Sequence, residues 1–130
     1  MAEGFINLNL DGVDDGSEPI PDGVHLVRVK SAERKHKEGS DYPYIDTRMT
    51  PLDVPGMEKR SLRLTLSFHP DALWNLKRFM KAARIEWSSD GFHLEDFVGK
   101  ELYVSTKIVP DWNDESIKRN EVNPPYSRAA

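Results

Sequence analysis

DYPYIDTRM (residues 41–49) and RSLRLTLSF (residues 60–68) each alternate polar and apolar side chains with a period of two. In the first, Ile45, Thr47 and Met49 point one way and Tyr42, Tyr44 and Arg48 the other, with Asp46 among them. In the second, Leu62, Leu64, Leu66 and Phe68 oppose Ser61, Arg63, Thr65 and Ser67. This alternation is the mark of half-buried antiparallel strands. Between them TPLDVPGMEK carries Pro55-Gly56, which suits a type II turn because glycine supplies the positive φ. The prediction is a hairpin with one apolar face and one face of tyrosine, arginine and hydroxyl.

Outward from the hairpin, GVHLVRVKSA (residues 23–32) reads as a first strand. Its apolar positions switch faces between Val24/Leu26 and Val27/Val29, which a bulge, or sharing between two sheet layers, would produce. ERKHKEGS is a polar turn closed by Gly39, with Arg34, Lys35, His36 and Lys37 as the densest basic cluster of the chain. After the hairpin, HPDALWNLKRFMKAARIEW predicts a helix. Pro70 suits the first helical position and Asp71 the positive end of the dipole. Leu73, Leu76, Met80 and Ala83, widened by Phe79, recur at helical spacing as a buried stripe. Trp74, Lys77, Arg78, Lys81 and Arg84 line another side, read here as solvated surface.

SSDGFHLEDFVGK is a loop in which Phe92, Leu94 and Phe97 close the core. ELYVSTKIV predicts a fourth strand with Leu102, Val104 and Ile108 inward and Tyr103, Ser105 and Lys107 outward. PDWNDES is a turn displaying Trp112, and SIKRNEVN is a fifth strand stopped by Pro124 and Pro125. One helix between the third and fourth of five strands is the layout of the OB-fold, a mainly-β, five-stranded barrel whose second and third strands present a ligand face. The expected organisation is a flexible acidic arm at 1–22, a barrel domain at 23–126 and a frayed end at 127–130.

The chain has 130 residues, enough for one domain with a real core. It lacks cysteine, which excludes disulfides and thiolate metal sites and points to a reducing, cytoplasmic setting. No apolar run approaches the ~20 residues of a membrane span, and residues 1–22 are unlike a signal peptide. The net charge of −4 is unevenly spread. Residues 1–22 hold six acids and no lysine or arginine, leaving 16 acids against 18 basic residues in the remainder. A basic body with an acidic arm is a mild pointer to a polyanionic partner. The arm's acids could serve solvation alone. If instead they compete with nucleic acid for the binding face, deleting residues 1–20 would tighten DNA binding at low salt.

Three features converge on one expected surface: the Tyr42, Tyr44, Arg48 and Arg63 face, the loop holding Arg34, Lys35 and Lys37, and the loop Trp112. Lys107 on the fourth strand extends it. Tyrosines two apart on a strand present their rings about 6.8 Å apart on one face. Bases stack on such rings for roughly 1–3 kcal/mol each, with little regard to sequence. Cations that neutralise phosphates make affinity fall with salt by about 0.7 log units per contact on single strands. The expected activity is therefore non-specific single-stranded DNA binding. The alternative is a protein-interaction or oligomerisation module without direct DNA binding, and the tyrosines could equally pack beneath the arm or a partner subunit.

Enzymatic work is not expected. His25, His36, His69 and His93 are scattered without metal-helix spacing, and there is no phosphate loop or nucleophile motif. Asp14-Asp15 and the acids from Asp111 to Glu115 fall in proline-flanked, flexible stretches. No cofactor and no metal site are predicted.

GSDYPYIDTRM, the leucine-alternating strand, LSFHPDALWNLKRFMKAA, FVGKELYV and RNEVNPPY together resemble a family of small bacteriophage proteins that includes OB-fold single-stranded DNA-binding proteins of replication and recombination. The resemblance spans about residues 23–126, best at Gly39, Tyr42, Leu73, Gly99 and Asn120 to Val122. It implies a phage protein that coats single strands in the host cytoplasm, with a second copy of the chain and phage or host replication proteins as further partners. Typical single-strand binders carry an acidic C-terminal tail, whereas here the acids cluster in residues 1–22.

Overall fold

The computed structural model describes residues 4–8, 19–111, 113, 115 and 118–129. Five strands form one antiparallel sheet: β1 (Gly23–Lys35), β2 (Tyr44–Pro51), β3 (Leu62–Ser67), β4 (Glu101–Pro110) and β5 (Lys118–Arg128), in the order β3-β2-β1-β4-β5. One helix, α1 (Leu73–Ala82), lies between β3 and β4. No helix among these residues is long and apolar enough to cross a membrane. The edge strands β3 and β5 approach each other, but no ladder joins them among the described residues, so the sheet is not closed as a barrel.

The hairpin folds as its alternation dictates. Ile45, Met49, Leu62, Leu64 and Leu66 are buried, while Arg48, Ser61, Arg63 and Thr65 are exposed. Gly56 takes φ +83°, and Met57 N donates to Val54 O at 3.1 Å, closing the expected turn. β1 curves between two partners, its first half pairing with β4 and its second with β2. The β1–β2 register shifts between Val29 and Ser31, a bulge that lies beyond the Leu26/Val27 switch of apolar faces; at the switch itself both ladders are regular, and β1 passes there from pairing with β4 to pairing with β2. β1 also runs farther than expected, so Arg34 and Lys35 lie in the strand rather than the turn.

α1 packs on β3 and β5 with Leu76, Phe79, Met80 and Ala82 buried, continued by Ala83. Leu73, expected in this stripe, is 45% exposed because it sits at the margin of the stripe in the first turn. A 3₁₀ turn (Pro70–Ala72) precedes the helix, capped by His69 Nδ1, which accepts from Asp71 N at 3.0 Å. Phe79 stacks on Phe97 at 6.1 Å and meets Tyr126 edge-on at 5.5 Å. The Tyr126 hydroxyl donates to Asn75 Oδ1 at 2.7 Å, and burial pushes its pKa up to about 12.

Two departures from expectation concern the ends of the fold. Pro124 and Pro125 do not stop β5. The β4–β5 register skips across them, from Ser105↔Asn123 to Tyr103↔Ser127, so on this edge strand their missing N–H groups cost no ladder bond. At the other end, Ile20 already belongs to the packed body, ahead of the Gly23 boundary expected. Ile20 is 1% exposed, and its backbone is held by the Asn120 side chain, which accepts from Ile20 N at 3.0 Å and donates to Ile20 O at 2.7 Å. Thr106 Oγ1 donates to Pro21 O at 3.0 Å, and Asp22 Oδ1 accepts from Ile108 N at 2.6 Å. Residues 5–8 form no strand, and Phe5, Ile6 and Leu8 are exposed.

Candidate nucleic-acid interface

On the outward side of the β1-β2-β3 sheet, register places side chains in rows. Lys35, Tyr44 and Ser67 form one, Glu33, Asp46 and Thr65 the next, and Ser31, Arg48 and Arg63 the third. Paired residues on neighbouring strands share a face, so these nine side chains form one surface.

At its centre Asp46 is only 2% exposed although it points away from the core, because cations cover it. Lys35 Nζ donates to Oδ2 at 2.8 Å and Arg63 Nε to Oδ1 at 2.9 Å, while Arg48 Nη2 lies 3.7 Å away. Burial by itself would raise the Asp46 carboxyl. The hydrogen bonds and charges of Lys35 and Arg63 outweigh it and hold the group below its ordinary value. The Lys35 ammonium is correspondingly raised, through the hydrogen bond and charge of Asp46. Glu33 Oε2 lies 3.8 Å from Lys35, and Lys30 donates to Ser61 Oγ at 2.7 Å. Lys30, Lys35, Arg48 and Arg63 thus outnumber the two carboxylates, and the surface keeps an excess of positive charge.

Other expected contributors are placed differently. After the bulge, alternate β1 residues face opposite ways, so Arg34 leaves the Lys35 surface and sets its guanidinium 5.9 Å from the centroid of the Phe68 ring. Tyr42 is not on β2. The strand begins at Tyr44, and Tyr42 is held in the preceding turn by Ser40 Oγ, which donates to Tyr42 O at 3.1 Å and accepts from Tyr42 N at 3.3 Å. Its ring meets His69 edge-on at 4.9 Å, so the expected pair of parallel tyrosines on one strand is replaced by a half-buried Tyr44 beside a corner formed by Tyr42 and His69. Lys37 is exposed in the β1–β2 turn, whose backbone closes through Ser40 N donating to Lys37 O at 3.0 Å. Lys107 is exposed on β4 opposite Glu121, alongside the Gly23 end of β1 and away from Lys35 at the other end. Trp112 lies outside the described residues.

A cleft of about 590 Å³ opens where β3 and β5 approach without pairing. Ser61, Arg63 and Thr65 line one side, Arg119 and Asn120 the other, with Asp111 at the rim. Arg119 Nη2 is 3.8 Å from Glu121 Oε2. Sequence reasoning missed Arg119 as a neighbour of Arg63, since only the approach of the two edges brings together residues far apart in the chain. Among the described residues, no group of three or more histidine, aspartate or glutamate side chains converges where a metal ion could sit.

No family model matches the chain, and no curated protein matches it.

Proposed function

We propose that the protein binds single-stranded DNA without sequence preference, on the outward surface of β1, β2 and β3, in support of phage replication or recombination in the host cytoplasm. The reading treats the open sheet as an OB-type barrel. Strand order, the approach of β3 to β5 and the helix between β3 and β4 support it, since such barrels are five-stranded and partly open. The single observation that carries the function is the excess of cations around one buried carboxylate, beside Tyr44 and the Tyr42–His69 corner. A polyanion with flat bases meets both needs of such a surface, charge for the cations and stacking partners for the rings.

The cations serve DNA only to the extent that phosphate competes with Asp46 for them. Arg48 and Arg63, with side chains 46% and 55% exposed, are open to such an exchange. Catalysis forms no part of this reading. Further copies of the chain and replication proteins are the proposed additional partners.

Titration with poly-dT at low and high salt, followed by tyrosine and tryptophan fluorescence, tests the proposal. Quenching that salt reverses is the expected result. A Tyr44→Ala, Arg63→Ala double variant should weaken binding and, because Arg63 also donates to the buried Asp46 carboxylate, lower the melting temperature by several degrees while the protein stays folded at the assay temperature. Absence of quenching at low salt would instead favour the surface as a protein interface.

A further inference from the structure

The outer side of α1 carries a cluster of cations that no carboxylate neutralises among the described residues. Taking α1 at 100° per residue, Trp74, Lys77, Arg78 and Lys81 fall on one face, opposite the buried Leu76, Phe79, Met80 and Ala83. From Ala72 to Ile85 the chain holds Lys77, Arg78, Lys81 and Arg84 and no acid. Among the described residues, none of these four makes an ion pair; Arg84 donates to Ala129 O at 3.0 Å, which brings the end of β5, with Arg128, beside them. The hairpin surface differs, since there Asp46 alone engages three cations.

Two indoles stand among these charges. Trp74 is 51% exposed with the Arg78 guanidinium 5.1 Å from its ring centroid, and Trp87 is 44% exposed with Lys77 Nζ at 5.9 Å. Large aromatics left open to solvent beside unpaired cations are what stacking bases and phosphates require. The face also follows the hairpin surface directly along the chain. Tyr42 touches His69, and Trp74 follows five residues later, through one 3₁₀ turn into the first turn of α1.

We infer that the outer face of α1, centred on Trp74, Lys77, Arg78, Lys81 and Trp87, is a second contact surface for the same single strand. The strand leaves the β2–β3 surface at Tyr44, rounds the Tyr42–His69 corner and lies along the helix. This inference rests on the single-strand reading above and extends it by assigning the helix to the longer part of the path. A short strand fills the hairpin surface alone, and a longer one gains the helix.

The test compares oligo-dT of about 6 and about 16 nucleotides, lengths within the range covered by one OB-type domain. The proteins are wild type, Lys77→Gln/Arg78→Gln/Lys81→Gln, and Arg63→Gln, the triple variant checked for an unchanged melting temperature and Arg63→Gln, which loses a bond to Asp46, for a cooperative melt well above the assay temperature. The triple variant should bind the short strand as wild type does. On the long strand it should lose affinity, with the slope of log K against log salt shallower by about 2, from three phosphate contacts at ~0.7 each. Arg63→Gln should weaken both lengths. Trp74→Phe should remove part of the fluorescence quenching produced by the long strand only.

If wild type and the triple variant bind the long strand with the same slope while Arg63→Gln weakens it, the helix face is not a contact and this inference alone fails. It fails likewise if the triple variant weakens both lengths by the same factor. If poly-glutamate binds wild type but not the triple variant, and oligo-dT binds both equally, the face takes an acidic peptide instead. If wild type binds neither length at low salt, the single-strand reading itself is overturned.

Discussion

Replacing Asp46 by asparagine should loosen the fold and tighten the hold on DNA. The carboxylate accepts from Lys35 at 2.8 Å and Arg63 at 2.9 Å, so the substitution removes the acceptor charge from two charge-assisted bonds. Hydrogen bonds to charged groups are worth roughly 1.5–3 kcal/mol each. Here the loss is softened, because the Lys35 and Arg63 side chains are 39% and 55% exposed and can return to water. A net cost of about 1–2 kcal/mol follows, a drop in melting temperature on the order of 4–7 °C for a domain of this size. Binding should move the other way. Freed for phosphate, Lys35 and Arg63 add up to two contacts, steepening the slope of log K against log salt by about 1.4.

The acid limb of the stability curve checks the same contact. The folded carboxyl titrates below its unfolded value, so its stabilisation is present above the unfolded pKa and is lost as pH falls through the folded one. Asp46→Asn should flatten that loss below about pH 4. Equilibrium binding to poly-dT over a salt series, with thermal melts from neutral pH to about pH 2.5, reads all three effects. Weaker binding with an unchanged salt slope would refute the reasoning, since it would mean that Asp46 holds Arg63 in its working position rather than competing for it.

Two further substitutions probe the core. Thr47 is 0% exposed on the inward side of β2, and its hydroxyl has no hydrogen-bond partner among the described residues; Thr47→Val should raise stability by about 1 kcal/mol, measured by urea melts. Ile20→Ala should cost about 2–4 kcal/mol as a core truncation, whereas an unchanged urea midpoint would show that the segment before β1 does not stabilise the body. For the same reason, testing the acidic arm as a competitor for DNA requires a cut before Pro19, since removing residues 1–20 takes the Ile20 anchor with it.

What the chain alone determined are the properties that depend on neighbours two, three or four residues away. Alternation on β2 and β3 set which side chains face the core, helical spacing set the buried side of α1, and Pro55-Gly56 set the turn. Properties that depend on partners far along the chain were decided only in three dimensions. Asp46 meets Lys35 and Arg63 from 11 and 17 residues away through cross-strand register, so a face that reads as tyrosine and free arginine is organised around a carboxylate. The continuation of β1 through Lys35 sends Arg34 and Lys35 to opposite faces, and the turn around Ser40 takes Tyr42 off the strand. Ile20 is the extreme case: in a polar, acidic stretch it has no periodic context, and its burial depends on Asn120, 100 residues later. Side-chain direction is a local consequence of backbone geometry, whereas charge pairing and docking are energies between segments that only the folded chain brings together.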